Sequence, residues 1–445
     1  MATISAVRAT LKLSGSEHAN HLISLIDNGK FGPYRNKPES IARRRFGPSD
    51  ANFPHLGKRI SPFDADELPS LKELQEICLR DLPETREYFG DRPVYHAPYG
   101  NTEDTIHQTE EDISLNIINN LEKDSIVADY AISFQSEVLE NMRRRHHVKP
   151  DNMLHASMTT CSILPRHTII PLQHSNDGIT TATLLSGLVT WIIWPPTDHN
   201  VNVLQTAYES FADEFDNSKL DITHELEGGI ILVQAEGEAL RIPPFCPLTS
   251  FTLRTSVLAS ATTVTADTYV SMLQKAPLLQ AFFKTELHGE RKQTEFNAAL
   301  LKWLDRMLNG EADVLGSSEL DDTYRLIHTE NGPLETLLGI WDSVKDDIAA
   351  MIGPTDAMVM KDIWTVFLIG SKGRKCKICN KIIRTKHKLM RKHFVDHHWS
   401  EQKVAERVGS MGIINGVGAM GATDALQATE IASIEQSDDL MAVNC

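Results

Sequence analysis

Apolar and polar positions change their period along this chain, and each change marks a different kind of element. Residues 1–150 mix short helical runs with loops. Ala19 to Asp27 and Leu68 to Glu84 read as helices, and Asn28–Asn52 and Gly90–Asn101, rich in turn formers, as loops. Ile113, Ile117, Ile118 and Leu121 recur at helical spacing, so Thr105 to Lys123 is predicted as an amphipathic helix. From Leu154 to Val270 the period shortens. Thr168–Leu172, Thr180–Leu185, Val189–Trp194, Gly229–Val233, Leu240–Ile242, Thr249–Leu253 and Ser260–Thr265 are β-branched runs between turn residues. They read as short strands of a barrel or jelly roll, interrupted by a helix at Val203–Phe215. From Thr268 to Gly370 the helical period returns. Phe296, Ala299, Leu300, Trp303, Leu304 and Met307 form one stripe, and Leu334, Leu337, Leu338, Trp341, Val344 and Ile348 another. Such stripes are core faces between helices before they are partner grooves. Beyond Gly409 the period is lost among Gly, Ala, Ser and acidic residues, the composition of a disordered tail.

The expected organisation is therefore an N-terminal region (1–150) packing on a strand-rich domain (151–270). A helical region (271–370), a small module (371–408) and a tail (409–445) follow. Over 445 residues the chain can bury more than one core. No apolar run reaches the roughly 18 residues of a membrane-crossing helix. The first residues lack the basic start and apolar block of a secretory signal. Six scattered cysteines, of which only Cys376 and Cys379 are close, point to a reducing compartment, cytosol or nucleus.

Charge changes the picture in one place. The net charge is −16, so the whole surface is not a polyanion-binding coat. Yet between Lys372 and Lys392 lie ten basic residues and no acidic one. Any nucleic-acid contact is expected there, through residues 372–392. A shorter run, Arg143, Arg144, Arg145, His146 and His147, reads as a solvated helix end first and a nuclear import signal second.

The same segment carries metal-ligand spacing. Two residues intervene between Cys376 and Cys379, then thirteen before His393, then three before His397. Two thiolates and two imidazoles make the closed tetrahedral set that structural zinc prefers. His398 is the alternative fourth ligand and His387 a weaker one, while Ile383 and Leu389 are the expected apolar core. The predicted cofactor is zinc, held by Cys376, Cys379, His393 and His397. DNA or RNA contact, protein docking and pure structural stabilisation are the three uses such a module could have.

The strand-rich domain carries a second pattern. One segment reads Pro171-Leu172-Gln173-His174-Ser175-Asn176-Asp177 and runs on to Gly187, Trp191, Pro195 and Pro196. The other reads Glu236-Gly237-Glu238-Ala239-Leu240-Arg241-Ile242-Pro243-Pro244. Together they resemble the JmjC branch of the cupin superfamily, whose active members are Fe(II)- and 2-oxoglutarate-dependent oxygenases. The resemblance implies a double-stranded β-helix, an α+β fold with flanking helices, and a nuclear, chromatin-related setting. It also places the iron triad at His174, Asn176 and Leu248, and the usual 2-oxoglutarate lysine at Val189. Asn is a weak neutral donor, Leu ligates nothing, and Val cannot grip a carboxylate. Asp177 could substitute only if a bulge re-aimed it, because strand side chains alternate. Asp198 with His199 could form another site, but a solvated loop is the plainer reading. Cys246 reads as a small buried hydrophobe.

The expected function is thus a JmjC-like domain with a degenerate iron site, acting as a non-catalytic scaffold for protein partners beside a zinc module. Two alternatives stand: an active oxygenase with a rearranged site, and a nucleic-acid-binding protein working through the finger.

Overall fold

The strand-rich region forms a single large sheet. In the computed structural model its strands are β1 (Gly32–Pro33), β2 (His55–Gly57), β3 (Ile132–Gln135), β4 (Met153–Ala156), β5 (Thr160–Leu164), β6 (Ile169–His174), β7 (Ile179–Ile193), β8 (Ile230–Ala235), β9 (Ala239–Ile242) and β10 (Pro247–Thr265). The structure describes residues 4–14, 17–29, 31–33, 44–46, 53–64, 66–82, 110–123, 131–145, 152–175, 177–214, 222–286, 289–310 and 327–399. Hydrogen bonds order the sheet β1-β8-β7-β10-β5-β3, antiparallel except for the β1–β8 pair. The other four strands, β2, β4, β6 and β9, pair off this six-stranded path, and the ten-stranded sheet is not a closed barrel, so the expected barrel is corrected.

The reason lies in two long strands. The runs read as Thr180–Leu185 and Val189–Trp194 are one strand, β7, and Thr249–Leu253 and Ser260–Thr265 are one strand, β10. Each is long enough to hold shorter strands end to end on its free edge. β7 takes β9 along its first half and β8 along its second. β10 takes β6, β5 and β4 in turn. Both strands change direction at the same level. Gly187 sits at φ 107, and the β7–β10 register shifts on either side of Arg254. A Cβ on Gly187 would fall 2.2 Å from Ser256 Oγ and 2.6 Å from its Cα, so only glycine lets the strands approach there. Ser256 Oγ accepts from Leu188 N (3.0 Å) and donates to the Arg254 carbonyl (2.6 Å), satisfying backbone groups that the shifted ladder leaves.

The bend lets both halves of β7 and β10 face one interior. Ala182, Leu184, Val189, Trp191 and Ile193 of β7 meet Leu232, Leu240, Ile242, Leu248 and Leu258 in one buried cluster. The helices are α1 (Ile4–Ser14), α2 (Glu17–Asp27), α3 (Leu71–Asp81), α4 (Glu110–Asn119), α5 (Glu137–Arg144), α6 (Asp198–Glu214), α7 (Ala266–Leu273), α8 (Ala276–Thr285), α9 (Gly289–Asn309), α10 (Pro333–Gly370) and α11 (Lys386–His398). α2, α3, α4 and α6 fall within or beside their predicted spans. α3 starts at a capping box, in which Ser70 and Glu73 satisfy each other's backbone N–H. Its Leu74, Ile77 and Cys78 pack with Ile117, Ile118, Phe134 and Ile163 in a second core.

Arg144 and Arg145 are exposed at the end of α5, as the reading of a solvated helix end expects, and among the described residues Arg143 alone departs from it. That side chain is buried, and its guanidinium donates to both oxygens of buried Glu140. His146, His147, most of Asn28–Asn52, the Gly90–Asn101 loop and the tail from Gly409 lie outside the described residues.

The chain divides into two compact units. The first holds Met1–Gly289 with Ser317–Ile327, and the second Glu290–Gly316 with His328–Cys445. The finger segment therefore shares a unit with α9 and α10 instead of standing alone. α10 is two helices joined at a kink, where Gly353 (φ 77) precedes Pro354. No helix among the described residues is long and apolar enough to cross a membrane.

Candidate metal centre and the sheet interior

The finger segment begins as a tight hairpin. Lys375 bridges Ile382, Cys376 N donates to the Lys381 carbonyl (2.9 Å), and Ile383 N donates to that of Arg374 (2.7 Å). Asn380 turns the corner at φ 60, a conformation Asn tolerates better than most residues. α11 then returns across the hairpin. Its Met390 and Phe394 are fully buried with Ile383. Leu389, expected in this core, is instead 45% exposed.

Cys376, Cys379, His393 and His398 come together, with one ligand atom from each lying within 4.8 Å of all the others. Cys376 Sγ is 3.6 Å from His398 Nε2, and Cys379 Sγ is 3.3 Å from His393 Nε2. Ligands about 2.0–2.3 Å from one tetrahedral ion stand about 3.3–3.8 Å apart, so the cluster could hold such an ion. Burial pushes His393 down to about 4, helped by His398, His397 and Lys381 nearby, which leaves it neutral and able to ligate. Burial pushes the Cys376 thiol up, against hydrogen bonds from the Cys379 and Ile378 backbone N–H groups that lower it. A metal would have to displace that proton.

The fourth ligand position corrects the expected His397. That side chain is exposed, with Nε2 3.4 Å from Lys381 Nζ. His398 is buried, and the contacts that select it come from α10. Its Nδ1 lies 2.9 Å from Asp342 Oδ1 and 3.1 Å from Oδ2. Trp341 Nε1 donates to its carbonyl at 3.2 Å. Trp341 also stacks on Phe394 and Trp399, and its ring centroid is 4.5 Å from that of Trp364. Helix α11 thus ends on an aromatic seat built by α10. Asp342 is a site residue that sequence spacing could not reveal, because it lies 56 residues from the histidine it holds. Burial tends to raise the Asp342 carboxyl, but hydrogen bonds to His398 and Lys345 bring it below the usual range.

Of the basic residues from Lys372 to Lys392, all are exposed except the half-buried Lys386, whose Nζ donates to the Ser371 carbonyl. Arg391 pairs with Asp362 at 2.7 Å.

In the sheet unit, His174 ends β6 inside a cage of aromatic rings. Phe245 stacks at 6.0 Å and Phe282 meets it edge-on at 4.7 Å. Tyr208 OH lies 3.0 Å from Nδ1 and accepts the His174 backbone N–H at 3.1 Å. Tyr208 and Phe282 come from α6 and α8, so neither shows in the local motif. Burial pushes His174 down to about 4 and Asp177 up to about 7. Asp177 Oδ1 stands 4.0 Å from His174 Nε2. With burial favouring the neutral form of each, this is a polar neighbour and not an ion pair. Asp177 follows the end of β6, so strand alternation does not govern where it points and no bulge is needed. Asn176 lies outside the described residues. Among the described residues, no third His, Cys, Asp or Glu joins His174 and Asp177.

His174 also borders a cavity of about 200 Å³. Leu248, Trp191, Ile170 and Ile242 line it with Ser, Thr and Gln side chains, and among the described residues no Lys or Arg does. Val189 is fully buried in the neighbouring apolar cluster. Cys246 is buried too, and burial pushes its thiol well up. Asp198 and His199 open α6 instead of lying in a loop. Asp198 meets Lys275 at 3.5 Å, and His199 Nε2 lies 3.1 Å from the Glu225 carbonyl.

No family model matches the chain, and no curated protein matches it.

Proposed function

We propose that this chain is a non-catalytic binding protein. It joins a JmjC-like sheet domain of jelly-roll ancestry to a zinc-stabilised Cys2His2 module. The observation that carries this reading is the convergence of Cys376, Cys379, His393 and His398 within 4.8 Å. Two thiolates and two imidazoles fill a tetrahedral shell and leave no open position for substrate, which is the arrangement of a structural zinc.

The sheet interior supports the non-catalytic half. A facial iron site needs two His and a carboxylate. His174 and Asp177 supply two donors at 4.0 Å, and Leu248 offers none. A dianion such as 2-oxoglutarate calls for a cation, and none of the described residues bordering the cavity is a Lys or Arg. Fe(II) and 2-oxoglutarate therefore do not fit the residues present. The family resemblance favours a nuclear, chromatin-related setting with protein partners. The exposed cations of residues 372–392 favour nucleic acid as a second partner class.

Metal analysis of the purified chain tests both halves. Zinc at about one ion per chain is expected, lost in His398→Ala and kept in His397→Ala. Zinc retained by His398→Ala would refute the ligand set. Tight iron with 2-oxoglutarate turnover, both lost in His174→Ala, would refute the non-catalytic reading.

A further inference from the structure

We infer that Asp342 is a metal-positioning residue, so that the zinc module is completed by helix α10 and is not an autonomous finger. The inference rests on the zinc reading above. A ligating histidine is held in one tautomer and orientation by whatever its second nitrogen meets, and a carboxylate there also makes the ligating nitrogen more basic. His398 is placed this way. Nε2 faces Cys376 Sγ at 3.6 Å, and Nδ1 faces both Asp342 oxygens at 2.9 and 3.1 Å. The Nδ1–H donates to the carboxylate, which leaves the Nε2 lone pair for the metal.

The neighbouring contacts point the same way. Trp341, one residue earlier on α10, donates to the His398 carbonyl, so backbone and ring of one ligand are held by adjacent residues. His398 is the last residue of α11, where a free helix end frays, whereas His397 is exposed and meets Lys381 Nζ at 3.4 Å instead of a carboxylate. The choice between two adjacent histidines is thus made by α10. Lys345 Nζ, 3.0 Å from Asp342 Oδ1, holds the carboxylate from its own helix. The Asp342 side chain remains about half exposed (49%), so substitution there leaves no cavity in the core.

The test is zinc affinity of the full-length protein, measured by competition with a chromogenic chelator. Asp342→Ala should weaken zinc by roughly 10–100-fold. Asp342→Asn keeps an acceptor for Nδ1–H and should recover part of the loss. With cobalt in place of zinc, the tetrahedral visible spectrum of Asp342→Ala should match wild type at saturation, because the four ligands are unchanged. Equal zinc affinity in wild type and Asp342→Ala would overturn this inference alone. A wild-type chain that binds no zinc would overturn the zinc reading, and this one with it. Asp342→Asn no tighter than Asp342→Ala would also count against it, since a purely structural effect would not depend on the acceptor.

Discussion

At the residue scale, the buried pair in the sheet unit has a pH signature. Asp177 titrates near 7 in the folded chain against about 4 when unfolded, and His174 near 4 against about 6.5. Between pH 4 and 6.5 the folded state holds more protons on Asp177 and fewer on His174. The first makes stability fall with rising pH and the second makes it rise, so they largely cancel. Above about pH 7 the folded chain carries a buried carboxylate, at a cost of up to ~4 kcal/mol for a shift of about three pH units. Asp177→Asn removes the falling contribution. The variant should gain urea resistance over wild type progressively from about pH 4 to about pH 7 and level off above that. A difference between the two that stays constant with pH would show that Asp177 does not titrate in this way.

At the element scale, α11 is short and strongly basic, and a helix of 13 residues is marginal without tertiary support. Its support is the Trp341, Trp364 and Trp399 seat together with the cluster of Cys376, Cys379, His393 and His398. On the zinc reading proposed above, stripping the ion with a chelator should speed amide exchange along α11 and the hairpin at Cys376–Ile383. Strands β7 and β10, which belong to the other unit, should keep their protection. Unchanged exchange in α11 would mean that the aromatic seat suffices without metal. The open sheet is also an element-scale result. The length of β7 and β10, and their shared bend at Gly187, set which short strands sit end to end.

At the scale of the whole molecule, the charges are segregated. A chain of net charge −16 repels a polyanion at long range, so the nucleic-acid contact proposed above would fall on the basic run of residues 372–392. Nucleic-acid binding by the finger should then be local and steeply salt-dependent. Neutralising about 3–5 phosphates would cost ~40–500-fold in affinity for a short DNA duplex between about 50 and 200 mM salt. Cys376→Ser should abolish that binding. Binding indifferent to salt, or intact in Cys376→Ser, would leave protein contact or stabilisation as the use of the module.

What could be read from the residue order was local. Helical and strand periods placed α2, α3, α4, α6 and the strands β6 to β10, because burial of one face repeats with backbone geometry, while the short strands β1 to β5 carried no such run. The Cys376-Cys379 spacing and the run of histidines announced a metal cluster, because thiolates and imidazoles so close together have few other uses. Long-range contacts decided the rest. Whether two β-branched runs were two strands or one depended on Gly187 meeting Ser256 across the sheet. Whether Asp177 approached His174 depended on β6 ending at His174. The choice of His398 over His397 rested on Trp341 and Asp342, more than fifty residues earlier in the chain. A side chain's partner across the fold leaves no period or spacing behind, so only packing could select it.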